Sequence, residues 1–95
     1  MAKFVILGNW TDQGIKNVKE TTARATAAKE RAAAMGGSLN LWWTMGRYDL
    51  VAIAEMPSAE AALGLLVGIG MQGNLHTETL PAWDAAEIDG VLQGM

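Results

Sequence analysis

The stretch "LNLWWTMGRYDLVAIAEMPS", Leu39 to Ser58, decides the fold of this chain of 95 residues. Two apolar runs flank the segment Gly46–Asp49, whose glycine and aspartate are typical of turns. The pattern predicts a β-hairpin, with one strand over Ser38–Met45 and the next over Leu50–Met56.

The two adjacent tryptophans of this hairpin indicate that both faces of the sheet pack against other parts of the protein. Successive side chains of a strand point to opposite faces, so Trp42 and Trp43 cannot share one. A short turn places Met45 opposite Leu50 and Trp43 opposite Ala52, and pairing a large side chain with a small one favours this register. If helices cover one face, the tryptophan on the other face needs a second partner.

Upstream of the hairpin, the sequence predicts a strand and a long helix. The run Lys3–Trp10 is apolar on both faces, which is typical of a central strand. Helix-forming residues with an alanine-rich apolar stripe continue from Thr11 to Met35, with a weak stretch at Glu20–Thr22 where the helix can break. Gly36-Gly37 ends it, because a helix readily closes on a left-handed glycine.

Downstream of the hairpin, a second helix and a fourth strand follow. Pro57 stops the hairpin and Ser58 caps the helix "AEAALGLLVGIGMQ", which is apolar nearly all round and carries three glycines that allow close backbone approach. Leu75–Pro81 alternates like an outer strand, and Asp84–Leu92 predicts a short terminal helix that opens with a capping box.

The element order is therefore β-α-β-β-α-β, the ferredoxin-like arrangement of the α+β class. It predicts a single domain over residues 1–95, with a four-stranded antiparallel sheet and two helices on one face. Of the residues, 51% are hydrophobic and 18% are charged, against about 25% charged in average proteins. So small a chain has a modest core, and the excess of apolar surface predicts a homo-oligomer, dimeric or larger, that packs sheet to sheet.

Composition excludes several classes of partner. The net charge of −3 and the scattered basic residues argue against nucleic acid, which needs clustered lysine and arginine. With no cysteine, there is no disulfide or thiol chemistry, and we expect a cytoplasmic protein. The longest run without charge, Ala61–Met71, has 11 residues, whereas a bilayer span needs about 20. We expect no membrane association, metal or cofactor.

Most of the chain resembles the GYD-domain family of small bacterial and archaeal proteins. The resemblance is carried by "WTDQGI" at Trp10–Ile15, "TMGRYD" at Thr44–Asp49 and "TETL" at Thr77–Leu80. It implies a ferredoxin-like fold related to the dimeric α/β-barrel proteins, and homo-oligomers, but no biochemical activity. The chain departs from the family pattern near Thr22, where a proline is common, and at His76, where a basic arginine-like residue is common.

Few residues carry recognisable chemistry. His76 and Glu78 share a strand face, and a histidine beside a carboxylate can act as a general base. The alternative is that the two side chains are a solvated pair on the strand without a catalytic role. Tyr48 either packs over the sheet end or lines a cavity mouth, and with His76 it is the weak candidate for catalysis. The candidate ligand-binding residues are Asn9, Trp10, Trp42, Tyr48, Asp49, His76 and Glu78.

Three functions are compatible with these residues. The first is a homo-oligomeric domain that binds a small apolar or aromatic molecule in a cavity between sheets. The second is a cofactor-independent monooxygenase or isomerase of the dimeric α/β-barrel type. The third is a structural or assembly module without a ligand, for which the apolar second helix would be the contact surface. The sequence leaves open whether the protein is an enzyme, because fold alone does not carry function.

Overall fold

The computed structural model describes all 95 residues and contains a single four-stranded antiparallel sheet. Its strand order is β2-β3-β1-β4. The elements are β1 (Ala2–Trp10), α1 (Asp12–Lys16), α2 (Thr21–Ala34), β2 (Ser38–Trp43), β3 (Leu50–Met56), α3 (Ala59–Met71), β4 (Leu75–Ala82) and α4 (Ala85–Gln93). The predicted α+β, ferredoxin-like arrangement with helices on one sheet face is confirmed.

The core lies between the sheet and the helices α2 and α3. Alternate residues of the two central strands point into it, and Met56 of β3 and Leu65 of α3 are its largest fully buried side chains. The other members of the buried cluster are Phe4, Ile6, Ala32, Leu39, Ala52, Ala54 and Ala62. Alanine is the commonest residue in this cluster, and both the helices and β3 contribute alanines to it. Because these side chains are small, the helical layer lies close to the sheet there.

The opposite face of the sheet, here called the open face, has no helix α2 or α3 over it. Val5 pairs with Ile53 and Leu80 across three strands, and Trp42 pairs with Val51, so this face is apolar at its centre. Trp42 is 52% exposed there. Trp43 points the other way, toward α2, where its indole N–H donates to the Thr21 hydroxyl at 3.1 Å. The two tryptophans thus lie on opposite faces.

The predicted register of the hairpin was wrong by two residues. Trp43 pairs with Leu50 rather than with Ala52, and β2 ends at Trp43. A six-residue connection follows, closed by the Thr44 N–H donating to the Asp49 carbonyl at 2.9 Å. The connection is longer because Asp49 is bound to β1: its own N–H donates to the Gly8 carbonyl at 2.9 Å. A shift of two residues keeps every side chain on its expected face.

The segment predicted as one long helix is broken in two. A 3₁₀ turn over Val18–Glu20 separates the short α1 from α2, at the edge of the weak stretch seen in the sequence. Asn17 closes α1, where its amide side chain donates back to the Gln13 carbonyl. Glycine ends the next helix as expected, since Gly36 has φ +87°. The break sets the direction in which α2 crosses the sheet.

The terminal helix α4 stands apart from the core. All its residues are exposed except Glu87, which is half-buried. The expected capping box forms between Asp84 and Glu87. Lys3, which points to the open face, donates to both carboxylates at 3.1 Å. Its hydrogen bonds to Glu87 and then Asp84 raise the pKa of Lys3, whereas the Glu87 backbone N–H, and then Lys3, lower the pKa of Asp84.

The helix α3 begins at the predicted cap, where the Ser58 hydroxyl accepts from the Ala61 N–H at 3.1 Å. It ends before Gly73, which has φ +78°. Bilayer crossing would require a longer apolar helix than any that the structure contains.

Candidate functional site

The structure has one cavity, a partly open cleft between the helical layer and the sheet. Its volume is about 230 Å³. For scale, an apolar engineered cavity of roughly 150 Å³ binds benzene. The sequence had predicted a cavity between the sheets of two copies; the one that the single chain contains is on the other side of its sheet. Its apolar walls include Trp10, Leu39, Leu41, Trp43, Leu50 and Ile69.

The cavity exists because small residues face each other across the two layers. On the α2 side, Ala25 and Ala28 line it, and on the sheet side Gly8 and Ala52 do so. Larger side chains at these four positions would fill the space, whereas farther along α2 the buried Ala32 packs directly into the core. The alanine-rich stripe of α2 therefore forms both the tight contact and the cavity.

The tryptophan walls are held in place by hydrogen bonds. The Trp43 indole bond to Thr21 ties the end of β2 to the first turn of α2. Trp10 ends β1, where its backbone N–H donates to the Asp49 carboxylate at 2.9 Å. Both rings belong to ends of strands, and the cavity lies over this end of the sheet, where all four strands contribute lining residues.

The "TDQG" segment after β1 is locked to the turn between α3 and β4. The Thr11 hydroxyl caps α1 by accepting from the Gly14 N–H at 2.9 Å, and it donates to the Gly73 carbonyl at 2.6 Å. The Gln13 amide donates to the Gln72 carbonyl at 2.9 Å. Gly14 lies so close that a Cβ there would overlap the Asn74 carbonyl oxygen. This contact explains the glycine and fixes the wall beside Trp10.

Two arginines of α2 supply the charge of the cavity. Arg24 and Arg31 are seven residues apart, two helical turns, and both line it. The Arg24 Nη1 donates to the Asn17 carbonyl at 3.0 Å and lies 3.7 Å from Glu20. The Arg31 guanidinium lies against Gly68 of α3, in the place that a β-carbon would occupy. The remaining polar lining residues are uncharged: Thr21, Gln72, Asn74 and Thr77.

A separate polar cluster lies at one end of the open face. His76 pairs with Asn9 across β1 and β4, and Glu78 is two residues along the same face. The Tyr48 hydroxyl donates to the Glu78 carboxylate at 3.3 Å, and Arg47 lies over the Tyr48 ring, 5.6 Å from its centre. Nowhere in the chain do three histidine, aspartate or glutamate side chains converge in a way that could hold a metal ion.

The structure does not bring the seven residues predicted for ligand binding together in one site. Trp10 lines the cavity, whereas Trp42 lies on the open face together with the cluster of Asn9, Tyr48, His76 and Glu78. Asp49 ties the hairpin loop to β1 through both its carboxylate and its backbone N–H.

Sequence reasoning missed both arginines and Trp43. A signal was available, because Arg24, Ala28, Arg31 and Met35 repeat at spacings of four, three and four residues. That repeat places the arginines on the same stripe as the apolar residues.

The solved structures that share this fold with the chain include those of two proteins. The protein TTHA0845 from Thermus thermophilus is 23% identical, with a TM-score of 0.56, over 90% of this chain and 96% of that one. The protein At3g17210 from Arabidopsis thaliana is 14% identical, with a TM-score of 0.51 and the same coverage. At these identities the likeness concerns the fold alone. No curated protein is significantly similar to the chain.

The family model of the GYD domain matches residues 4–92, nearly the whole chain. The match spans the "WTDQG" segment that locks α1 and the "GRYD" loop that ties the hairpin to β1. The chain therefore belongs to the GYD-domain family.

Proposed function

We propose that this protein binds a small molecule with an aromatic or apolar body in the cavity between α2, α3 and the sheet. The observation that carries the proposal is the cavity itself: apolar walls with two indole rings and a few polar groups. This composition is typical of ligand sites, which are mostly apolar with a small number of orienting polar groups. A partly open cleft with such walls leaves apolar surface in contact with water, and a ligand with an apolar body would bury it.

The small residues around the cavity favour ligand binding over the alternative of a purely structural module. Alanine and glycine keep the space open on both layers, although leucine at such positions would bury more apolar surface. Less apolar surface is therefore buried here than larger side chains would bury. The walls of the cavity are nevertheless fixed by hydrogen bonds from Trp43 and Thr11.

Filling the cavity tests the proposal. The variant Ala28→Leu should occupy the space and abolish binding of neutral aromatic probes such as indole, measured by isothermal titration calorimetry. Ala23→Leu is the matched control, because Ala23 is exposed on the same helix and does not line the cavity. Loss of binding in the first variant only is expected. Equal binding in both variants would place the ligand elsewhere.

Native mass spectrometry of the protein purified from its own host supplies a second measurement. We expect a retained small molecule in the wild type, and less of it in Ala28→Leu than in Ala23→Leu. A passenger held equally by both variants would contradict the proposed site.

We also propose that two copies pair through their open faces. The open face presents Trp42, Ile53 and Leu80, which are 52%, 40% and 44% exposed, on a continuous sheet surface. Exposed apolar patches of this kind mark interaction sites, and an identical face on a second copy supplies a matching apolar surface. In such a pair the ligand cavity of each chain stays on the outer side of its own sheet.

A further inference from the structure

We infer that the ligand of the cavity is an organic anion, a carboxylic acid with an aromatic or branched apolar body, whose carboxylate binds Arg24 and Arg31. The inference rests on the proposed function and adds the chemical class of the ligand. It follows from three observations: the charge of the lining, an unpaired atom of Arg24, and the position of Arg31.

The charge of the cavity is opposite to that of the whole protein. The chain has a net charge of −3, but no aspartate or glutamate lines the cavity and two arginines do. Arg31 has no acidic partner, and the only one of Arg24 is the exposed Glu20 at 3.7 Å, so the two guanidinium groups repel a cationic ligand. They attract an anion more strongly than they would in water, because the surroundings are less polar.

Arg24 carries an unsatisfied donor. Its Nη2 is the only buried side-chain nitrogen or oxygen of the chain without a hydrogen-bond partner. Nearby Glu20 does not satisfy it, because that carboxylate is 3.7 Å from the other nitrogen, Nη1, and its side chain is 72% exposed. A buried unpaired donor is unfavourable and rare in native proteins. A bound carboxylate would supply the missing acceptor.

Arg31 has neither a salt bridge nor a side-chain hydrogen bond in the structure. Its guanidinium occupies the space above Gly68, and any larger residue there would displace it. Glycine in the interior of α3 is less favourable for the helix than alanine. The placement of Arg31 beside the cavity accounts for this glycine.

The apolar walls define the rest of the molecule. Apart from the two arginines and four uncharged polar residues, the lining consists of apolar side chains such as Trp10 and Trp43, which do not suit a sugar. A volume of about 230 Å³ suits one ring or two fused rings. Guanidinium groups bind carboxylates through paired, charge-assisted hydrogen bonds, so the acid end would lie on α2 and the ring against the tryptophans.

Matched acid and amide probes test the inference. We would titrate the protein with benzoate, 2-naphthoate and indole-3-acetate, and with the amide of each, by calorimetry at low and high salt. Within at least one pair the acid should bind roughly tenfold to a hundredfold more tightly than its amide. Arg24→Gln and Arg31→Gln should each reduce this preference, whereas Arg47→Gln, which removes an arginine outside the cavity, should leave it unchanged.

Two further variants separate charge and geometry from folding. Arg24→Lys keeps the charge but loses the paired donors, and it should lie between wild type and Arg24→Gln. Gly68→Ala should displace Arg31 and lower the preference for the acid. Gly64→Ala is its control, because a Cβ there meets only Met35 at an ordinary 3.5 Å. Thermal unfolding of each variant checks that the fold is retained.

The outcomes distinguish the inference from the proposed function. Equal binding of acid and amide, or a preference that survives loss of both arginines, overturns the inference while the cavity remains a binding site. If no member of any pair binds, the proposed function fails and the inference fails with it.

Discussion

At the scale of single residues, Asp49 links the hairpin loop to β1. Its carboxylate accepts the Trp10 backbone N–H, and its own backbone N–H donates to the Gly8 carbonyl. The loop that gives the family its name thus holds the exit of β1, next to the cavity wall. The structure provides a stabilising role for this aspartate without any catalytic step.

Replacing Asp49 tests this role. Asp49→Ala leaves the Trp10 N–H without its charged acceptor, so we expect a loss of about 1–3 kcal/mol in the free energy of unfolding. Urea denaturation followed by circular dichroism would measure it. Asp89→Ala is the control, because Asp89 is exposed and makes no side-chain hydrogen bond. Equal stability of the two variants would show that the contact between Asp49 and Trp10 does not stabilise the fold.

At the scale of secondary structure elements, Lys3 connects α4 to β1. Lys3 is the residue outside α4 and its cap that bonds to Asp84 and Glu87. The folded state lowers the pKa of Asp84 below its ordinary 3.8. The stabilisation that comes from the ionised Asp84 is therefore present above pH 3.8 and is lost as the pH falls through the folded pKa. The raised pKa of Lys3 means that its contribution is lost only as the pH rises beyond 10.5.

We therefore expect α4 to stay anchored between these limits and to come loose first in acid. Amide chemical shifts of α4, followed by NMR during an acid titration, would move before those of β1. In Lys3→Met the anchoring should be weak at neutral pH as well. If α4 and β1 respond together in the wild type, the contacts of Lys3 do not control the helix.

Most elements could be predicted from the sequence, and the exceptions have physical causes. Gly37 precedes β2 and Pro57 follows β3, and Ser58 and Asp84 are local helix caps, so a short window of sequence contains each of these signals. The hairpin register depends on Asp49 binding β1, a contact between distant segments that no local pattern encodes. The cavity depends on the separation of α2 from the sheet, which the alanines permit but do not specify.

At the scale of the whole molecule, the two sheet faces have different roles. The face toward the helices carries the core and the cavity, and the open face carries Trp42 and the polar cluster around His76. The sequence indicated that both faces needed cover, because adjacent tryptophans cannot share one. It could not indicate which face carries the cavity, because the alternation of side chains along a strand is the same for either arrangement.

A charge placed on the open face tests the proposed pairing. Trp42→Asp should shift the protein toward the single-chain mass in sedimentation velocity, because an unpaired carboxylate between two apolar sheets is strongly unfavourable. Leu63→Asp is the control on the other side of the molecule, where Leu63 is 62% exposed on α3. Dissociation by the second variant and not by the first would place the interface on α3 instead.

The position of the cavity, on the sheet face away from the proposed pairing surface, has a consequence for how saturation would look in solution. Because pairing through the open face leaves the cavity unchanged, stoichiometry should be one molecule for each chain, whatever the number of subunits. Occupancy should follow a simple hyperbola without cooperativity, and dilution that separates the subunits should leave the dissociation constant where it was.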